Sequence, residues 1–222
     1  MGINSTSESR LESFLESPPK ALWSLAIPIM FGMGIHTFYN MVDMVFIGRL
    51  GGDAITGVAF NMPVFFLMLG LTMGLGSGVT ASIARYIGNK NKVDADNSAE
   101  HALVMAGAIA IVFTISGLVY GKDLLSKLGA EGIILNLAWD YLFVIIVGLP
   151  FMVFSGFFRA ILAGEGDMKL PMLVAGFGTI LNIVLDPIFI FELENYGGIG
   201  FGLGIKGAAL ATVVCQFIVF LI

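Results

Sequence analysis

Asp43 and Asp186 stand inside stretches that are otherwise apolar. A carboxylate within a membrane-spanning helix costs about 2.5–3.5 kcal/mol on insertion scales, and such groups mark ion pathways, proton relays or ligand sites. Neither aspartate stands alone. His36, Tyr39, Asn40 and Asp43 recur at i, i+3, i+4 and i+7, and Thr179, Asn182 and Asp186 at i, i+3 and i+7. Thr212 and Gln216 follow at i and i+4. On helices these spacings put each set on one face. Asn, Thr and Tyr on such a face also serve as hydrogen-bonded glue between helices. The two carboxylates are an expensive way to make glue, so the chemistry rests on them. Asp43 could instead be tolerated in a wet interface, whereas Asp186 is followed by the apolar run Pro187 to Phe191. His36, with no second His or Cys nearby, is a poor metal ligand candidate.

Three prolines add backbone chemistry. Pro187 has no N–H for the carbonyl of Ile183, which lies beside Asn182 and one turn before Asp186 and so could ligate an ion. Pro28 and Pro63 free the carbonyls of Ser24 and Ala59 in the same way, and all three prolines are expected to bend their helices.

These residues need helices that cross a bilayer. The chain has 222 residues, 57% hydrophobic and 12% charged, with a mean hydropathy of +0.93. That composition does not supply a polar surface. Apolar stretches at about 21–47, 54–83, 97–119, 136–162, 170–191 and 207–222 predict an all-α polytopic bundle of about six spanning helices. Residues 1–20 read as a polar segment and 21–222 as one six-helix lobe. The last stretch offers only 16 residues, about 24 Å of helix, short of the roughly 30 Å hydrocarbon core. The expectation is therefore a fragment of a longer protein. Arg10, Lys20, Arg85, Lys90, Lys92, Arg159 and Lys169 fall on one side, and Arg49, Lys122, Lys127 and Lys206 on the other. The excess of basic residues on the first side places the N-terminus in the cytoplasm.

Several function classes drop out. The net charge of −5 argues against a nucleic-acid partner. The single cysteine, Cys215, cannot form an intrachain disulfide and reads as a packing thiol. Gly70, Gly74, Gly76 and Gly78 lack the Gly-Lys-Ser/Thr ending of a phosphate loop, so no cofactor and no ATP-binding element is read.

The segments YNMVDMVFIGRLGGDAITGVA (39–59), GLGSGVTASIARYIGNKN (74–91), RAILAGEGDMKLPM (159–172), LNIVLDPIFIF (181–191) and GIKGAALATVVCQ (204–216), in that order, resemble the MATE family of multidrug and toxic-compound extrusion transporters. The resemblance runs from about residue 20 to the end. It implies a fold of twelve transmembrane helices in two six-helix lobes, of which this chain matches the N-terminal lobe. The second lobe would lie in a missing C-terminal half or a partner chain. The implied activity is exchange of Na⁺ or H⁺ for organic, often cationic compounds across the plasma membrane, without enzymatic chemistry. Carried over by motif, Asp43, Asn182, Asp186 and Thr212 would form the cation site, with Tyr141 in the same network. The same four, without Tyr141, would ligate the ion if it is Na⁺. The resemblance supplies no roles for His36, Tyr39, Asn40 and Gln216, which their places on the polar stripes make candidates for cavity lining.

On that reading the two aspartates share one cavity, where they cannot both ionise easily and titrate as a unit. Two alternatives remain at this stage. One is a lipid-linked oligosaccharide flippase of the same broad superfamily. The other is an intramembrane aspartyl protease, suggested by the sequence Gly164-Glu165-Gly166-Asp167, although Asp167 falls in a loop rather than a span.

Overall fold

The computed structural model describes residues 17–192 and 200–222, except for some side chains of the first helix, those of Pro28, His36 and Tyr39 among them. The polar segment read at 1–20 lies largely outside this range. Among the described residues seven helices follow one another: α1 (Pro18–Gly48), α2 (Gly52–Ala59), α3 (Met62–Gly88), α4 (Lys92–Lys127), α5 (Gly132–Gly164), α6 (Lys169–Ile190) and α7 (Ile205–Leu221). Among the described residues the only β pairing is an isolated bridge between Glu192 and Phe201.

Four helical units, Gly52–Gly88, α4, α5 and α6, are long and apolar enough to cross a membrane; α7 is apolar but shorter, at 17 residues. The 31 residues of α1 make about 46 Å of helix, also enough to span. The bundle is thus all-α and membrane-spanning, and its outer apolar side chains are solvated by lipid. Phe66, Val104, Ile111 and Leu173 are each more than half exposed.

The second stretch departs from the expectation of one bent helix. The chain breaks at Phe60–Asn61, and Pro63 sits in the first turn of α3 rather than inside a helix. Proline suits that place because the first turn has no partner for its missing N–H. Asn61 fastens the break: its Nδ2 donates to the carbonyls of Gly57 (3.0 Å) and Ala138 (3.1 Å). The α4 helix also outruns its apolar core. It starts at Lys92, where Asn91 accepts from the Asp94 amide (3.2 Å), and ends at Lys127.

The α5 helix is the hub, packing on α2, α3, α4 and α7, while α6 packs on α1 and α7. The α6–α7 connection is built from backbone. Amides of Phe201, Gly202, Leu203 and Gly204 donate to the carbonyls of Ile188, Phe191, Phe189 and Ile190, at 2.7, 2.7, 3.0 and 3.0 Å. The last carbonyls of a helix have no intrahelical donor; this strap supplies donors to three of them and to the carbonyl of the C-cap residue Phe191. Gly202 (φ +63°) and Gly204 (φ +58°) take the left-handed conformation it requires.

Candidate functional site

Among the described residues the buried polar side chains are Asp43, Asn61, Asn182, Asp186 and Thr212. Four of these belong to the set expected from the sequence, and Tyr141, the fifth member of that set, is buried as well. The helices bring them in from different sides: Asp43 on α1, Tyr141 on α5, Asn182 and Asp186 one turn apart on α6, Thr212 on α7.

The α6–α7 register follows from two close approaches. A methyl group built on Gly178 would meet Val219 at 2.7 Å, and one built on Gly207 would overlap the carbonyl of Phe189. Moving one turn at a time between these points sets Asn182 across from Cys215, and Asp186 across from Ala211 and its neighbour Thr212. On the other flank of α6, Asp43 lies within electrostatic reach of Asp186. Asp186 is 0% and Asn182 1% exposed, yet both Asp186 oxygens and both Asn182 amide atoms lack a hydrogen-bond partner, as does Asp43 Oδ1. The Asn182 amide lies near Asp186 and Cys215 but closes no hydrogen bond of good geometry with either. Buried polar atoms are nearly always paired. Five orphaned atoms gathered from α1 and α6 therefore have the character of a ligand shell, and the four oxygens among them suit a hard cation or a proton. Among the described residues no group of three or more His, Cys, Asp or Glu side chains is placed to hold a metal ion.

One end of the cluster is sealed. Ile47, Ile190 and Ala208 each lie one turn from Asp43, Asp186 and Thr212, and they join Val58, Ile145 and Ile205 in one apolar core. Tyr141 belongs to this seal, its ring edge-on to Phe65 with centroids 6.2 Å apart. Next to Tyr141, Asp140 pairs with Lys206 at 3.1 Å. Away from the seal, α1 and α6 border an open groove of about 610 Å³, walled by Met30, Phe31, Phe38, Thr179, Ile180 and Ile183.

Other expected residues fall elsewhere. Asn40 is exposed and Gln216 half-buried, and neither lines the groove. Thr179 lines it, with its hydroxyl donating to the Ala175 carbonyl of its own helix (3.0 Å). The side chains of His36 and Tyr39 lie outside the described residues, as does that of Pro28. Pro187 stands inside α6, which runs on through it to Ile190. Asp167 is a turn residue: its Oδ1 accepts from the amides of Lys169 (3.0 Å) and Leu170 (3.3 Å) at the start of α6. That role, at the opposite end of α6 from Asp186, removes the protease reading. The sequence reading missed Asn61, which reads in hindsight as a polar residue two before a proline in an apolar run, and it read Cys215 as packing alone. The signal for Cys215 was its i+3 spacing from Thr212.

A bundle of helices long and apolar enough to cross a bilayer, with ionisable side chains buried inside it, defines an integral membrane protein. A family model described as MatE matches residues 28–188. The chain belongs to that family, whose members are transporters rather than enzymes. It is 29% identical over 221 residues to the probable multidrug resistance protein YoeA of Bacillus subtilis, covering 98% of this chain and 47% of that protein. It is 28% identical over 194 residues to a protein of Shewanella oneidensis named as an FAD transporter, covering 87% of this chain and 42% of the relative. A crystal structure of MATE in the bent conformation aligns with a TM-score of 0.86 at 37% identity, covering 96% of this chain and 46% of that one. The chain thus spans about half the length of the relatives it matches.

Proposed function

We propose that this chain is the N-terminal lobe of a twelve-helix secondary antiporter of the plasma membrane, with its N-terminus in the cytoplasm. It works with a second six-helix lobe to export organic compounds in exchange for Na⁺ or H⁺. Residues 21–222 form the lobe, and 1–20 precede it on the cytoplasmic side. The observation that carries this reading is the cluster of unpaired oxygens on Asp43, Asn182 and Asp186, drawn from two helices and walled from water at one end. The cation neutralises the two carboxylates as a unit. Asn182 and Thr212 supply neutral oxygens, and Tyr141 closes the site at the sealed end.

The groove between α1 and α6 takes the transported compound. Its volume falls in the range of small-molecule sites, and its methionine and aromatic walls suit loose recognition of apolar surfaces. Because α1 and α6 carry both the groove and the aspartates, a cation that draws these helices together competes with a compound that holds them apart. Relatives named for multidrug resistance and for FAD stand at nearly equal identity, so family membership alone leaves the compound open.

The test is transport in everted vesicles containing the chain together with its second lobe, under imposed Na⁺ or pH gradients. Asp43→Asn and Asp186→Asn are each expected to abolish gradient-driven uptake. Normal coupled transport in either variant sinks the proposal.

A further inference from the structure

The polar cluster has a wall that the carboxylates do not account for. Cys215 is 5% exposed and lies on the α7 face that packs against α6. Its position follows from the register. One turn beyond Gly178 comes Asn182, and one turn before Val219 comes Cys215, so the two side chains meet between fixed contacts at Gly178–Val219 and Phe189–Gly207. The thiol is close enough to feel both the Asn182 amide and the Asp186 carboxylate. Those neighbours are at least 99% buried and carry four orphaned polar atoms. A packing cysteine has apolar neighbours; this one faces the proposed cation shell.

We propose that Cys215 is a specificity-determining residue of the cation site, holding its affinity for Na⁺ down. The inference rests on the cation site proposed above. A thiol is a weak hydrogen-bond donor and a weaker acceptor, and neutral sulfur is a soft ligand that a hard alkali cation does not choose over oxygen. Asn182 offers one amide oxygen from its side of the interface, while the opposite side offers sulfur where a serine would offer a second oxygen. Serine is nearly isosteric with cysteine, so the exchange tests ligand chemistry rather than shape.

The experiment measures binding of radiolabelled Na⁺ to membranes containing the protein, at fixed pH, for the parent, Cys215→Ser, Cys215→Ala and Asp186→Asn. The serine variant is expected to bind Na⁺ roughly three- to tenfold more tightly than the parent, the size of one added polar interaction. The alanine variant is expected to show no gain. Equal affinities in serine and alanine variants, or no Na⁺ binding in the serine variant, overturn the inference. Undiminished binding in Asp186→Asn instead overturns the cation site itself, which keeps the two failures apart. A second readout uses the only thiol in the chain. Labelling of Cys215 by N-ethylmaleimide is expected to slow in Na⁺ relative to choline. Equal rates in the two salts count against the thiol lining the site.

Discussion

Gly207, in the first turn of α7, rests directly against the carbonyl of Phe189 near the end of α6. No side chain fits between them. This contact and the four-amide strap hold α6 and α7 in one register, and that register sets Asn182 and Asp186 across from Cys215 and Thr212.

A methyl group at Gly207 must push the two backbones apart, because its neighbours are the Phe189 carbonyl and the Ile190 nitrogen rather than flexible side-chain ends. Gly207→Ala is expected to destabilise the protein by about 1–3 kcal/mol, the usual cost of overpacking. Gly74→Ala on α3, with nothing within 4 Å, is expected to be neutral or to stabilise by up to about 1 kcal/mol. Thermal melting followed by size-exclusion chromatography in detergent compares the two. Equal melting of both variants would remove the proposed lock.

Asn61 gives a second stability prediction. Its amide bridges the α2–α3 break to α5 through the Gly57 and Ala138 carbonyls, at full burial. Hydrogen bonds between membrane helices contribute roughly 0.6 kcal/mol on average and up to about 1.7. Asn61→Ala is expected to cost about 1–2 kcal/mol in the same melting assay, from the bonds and the space left behind. Asn61→Leu fills the space but leaves both carbonyls without their donor, so it should recover part of that loss and no more. Full recovery would mean that Asn61 acts only as filler.

The sequence resolved the chemistry of the spans better than their edges. Asp43, Asn182, Asp186 and Thr212 were visible because polar residues at helical spacing stand out against an apolar run. The break inside the second span was not, because hydropathy is blind to a break when both fragments stay apolar. Asn61 and Pro63 mark that break, through the preference of proline for a first turn. The start of α4 was read five residues late, since its first turns carry Asp94, Asp96 and Glu100 and rise beyond the apolar core. Tyr141 shows a different limit. Its burial follows from α5 being the hub, and only pairing between helices decides that it joins the seal, which no single-helix pattern encodes.

Lys206 and Asp140 form an ion pair beside the seal, and their side chains are 54% and 37% exposed. Solvated pairs of this kind contribute about 0–1 kcal/mol and are screened by salt. Lys206→Ala is therefore expected to shift stability by less than about 0.5 kcal/mol. Any difference should vanish in high salt. A larger, salt-resistant loss on melting would show that the pair helps hold the seal closed.

Asp186 is where function and stability should pull apart. A 0% exposed carboxylate with neither oxygen paired burdens the fold, because leaving a buried polar group without a partner costs about 1–3 kcal/mol, more for a charged one. A side chain of similar volume without polar atoms removes that burden. Asp186→Leu is expected to melt higher than the parent by the equivalent of about 1–3 kcal/mol, while gradient-driven transport is lost. The measurement is paired: melting in detergent and transport in vesicles, on the same preparations. The parent should also gain stability when the coupling cation is added, since a ligand that binds only the folded state stabilises it, whereas the leucine variant should not respond. A variant that melts lower than the parent would mean that Asp186 holds its helices together. Its two oxygens would then have structural partners, and the case for reading them as a cation shell would fail.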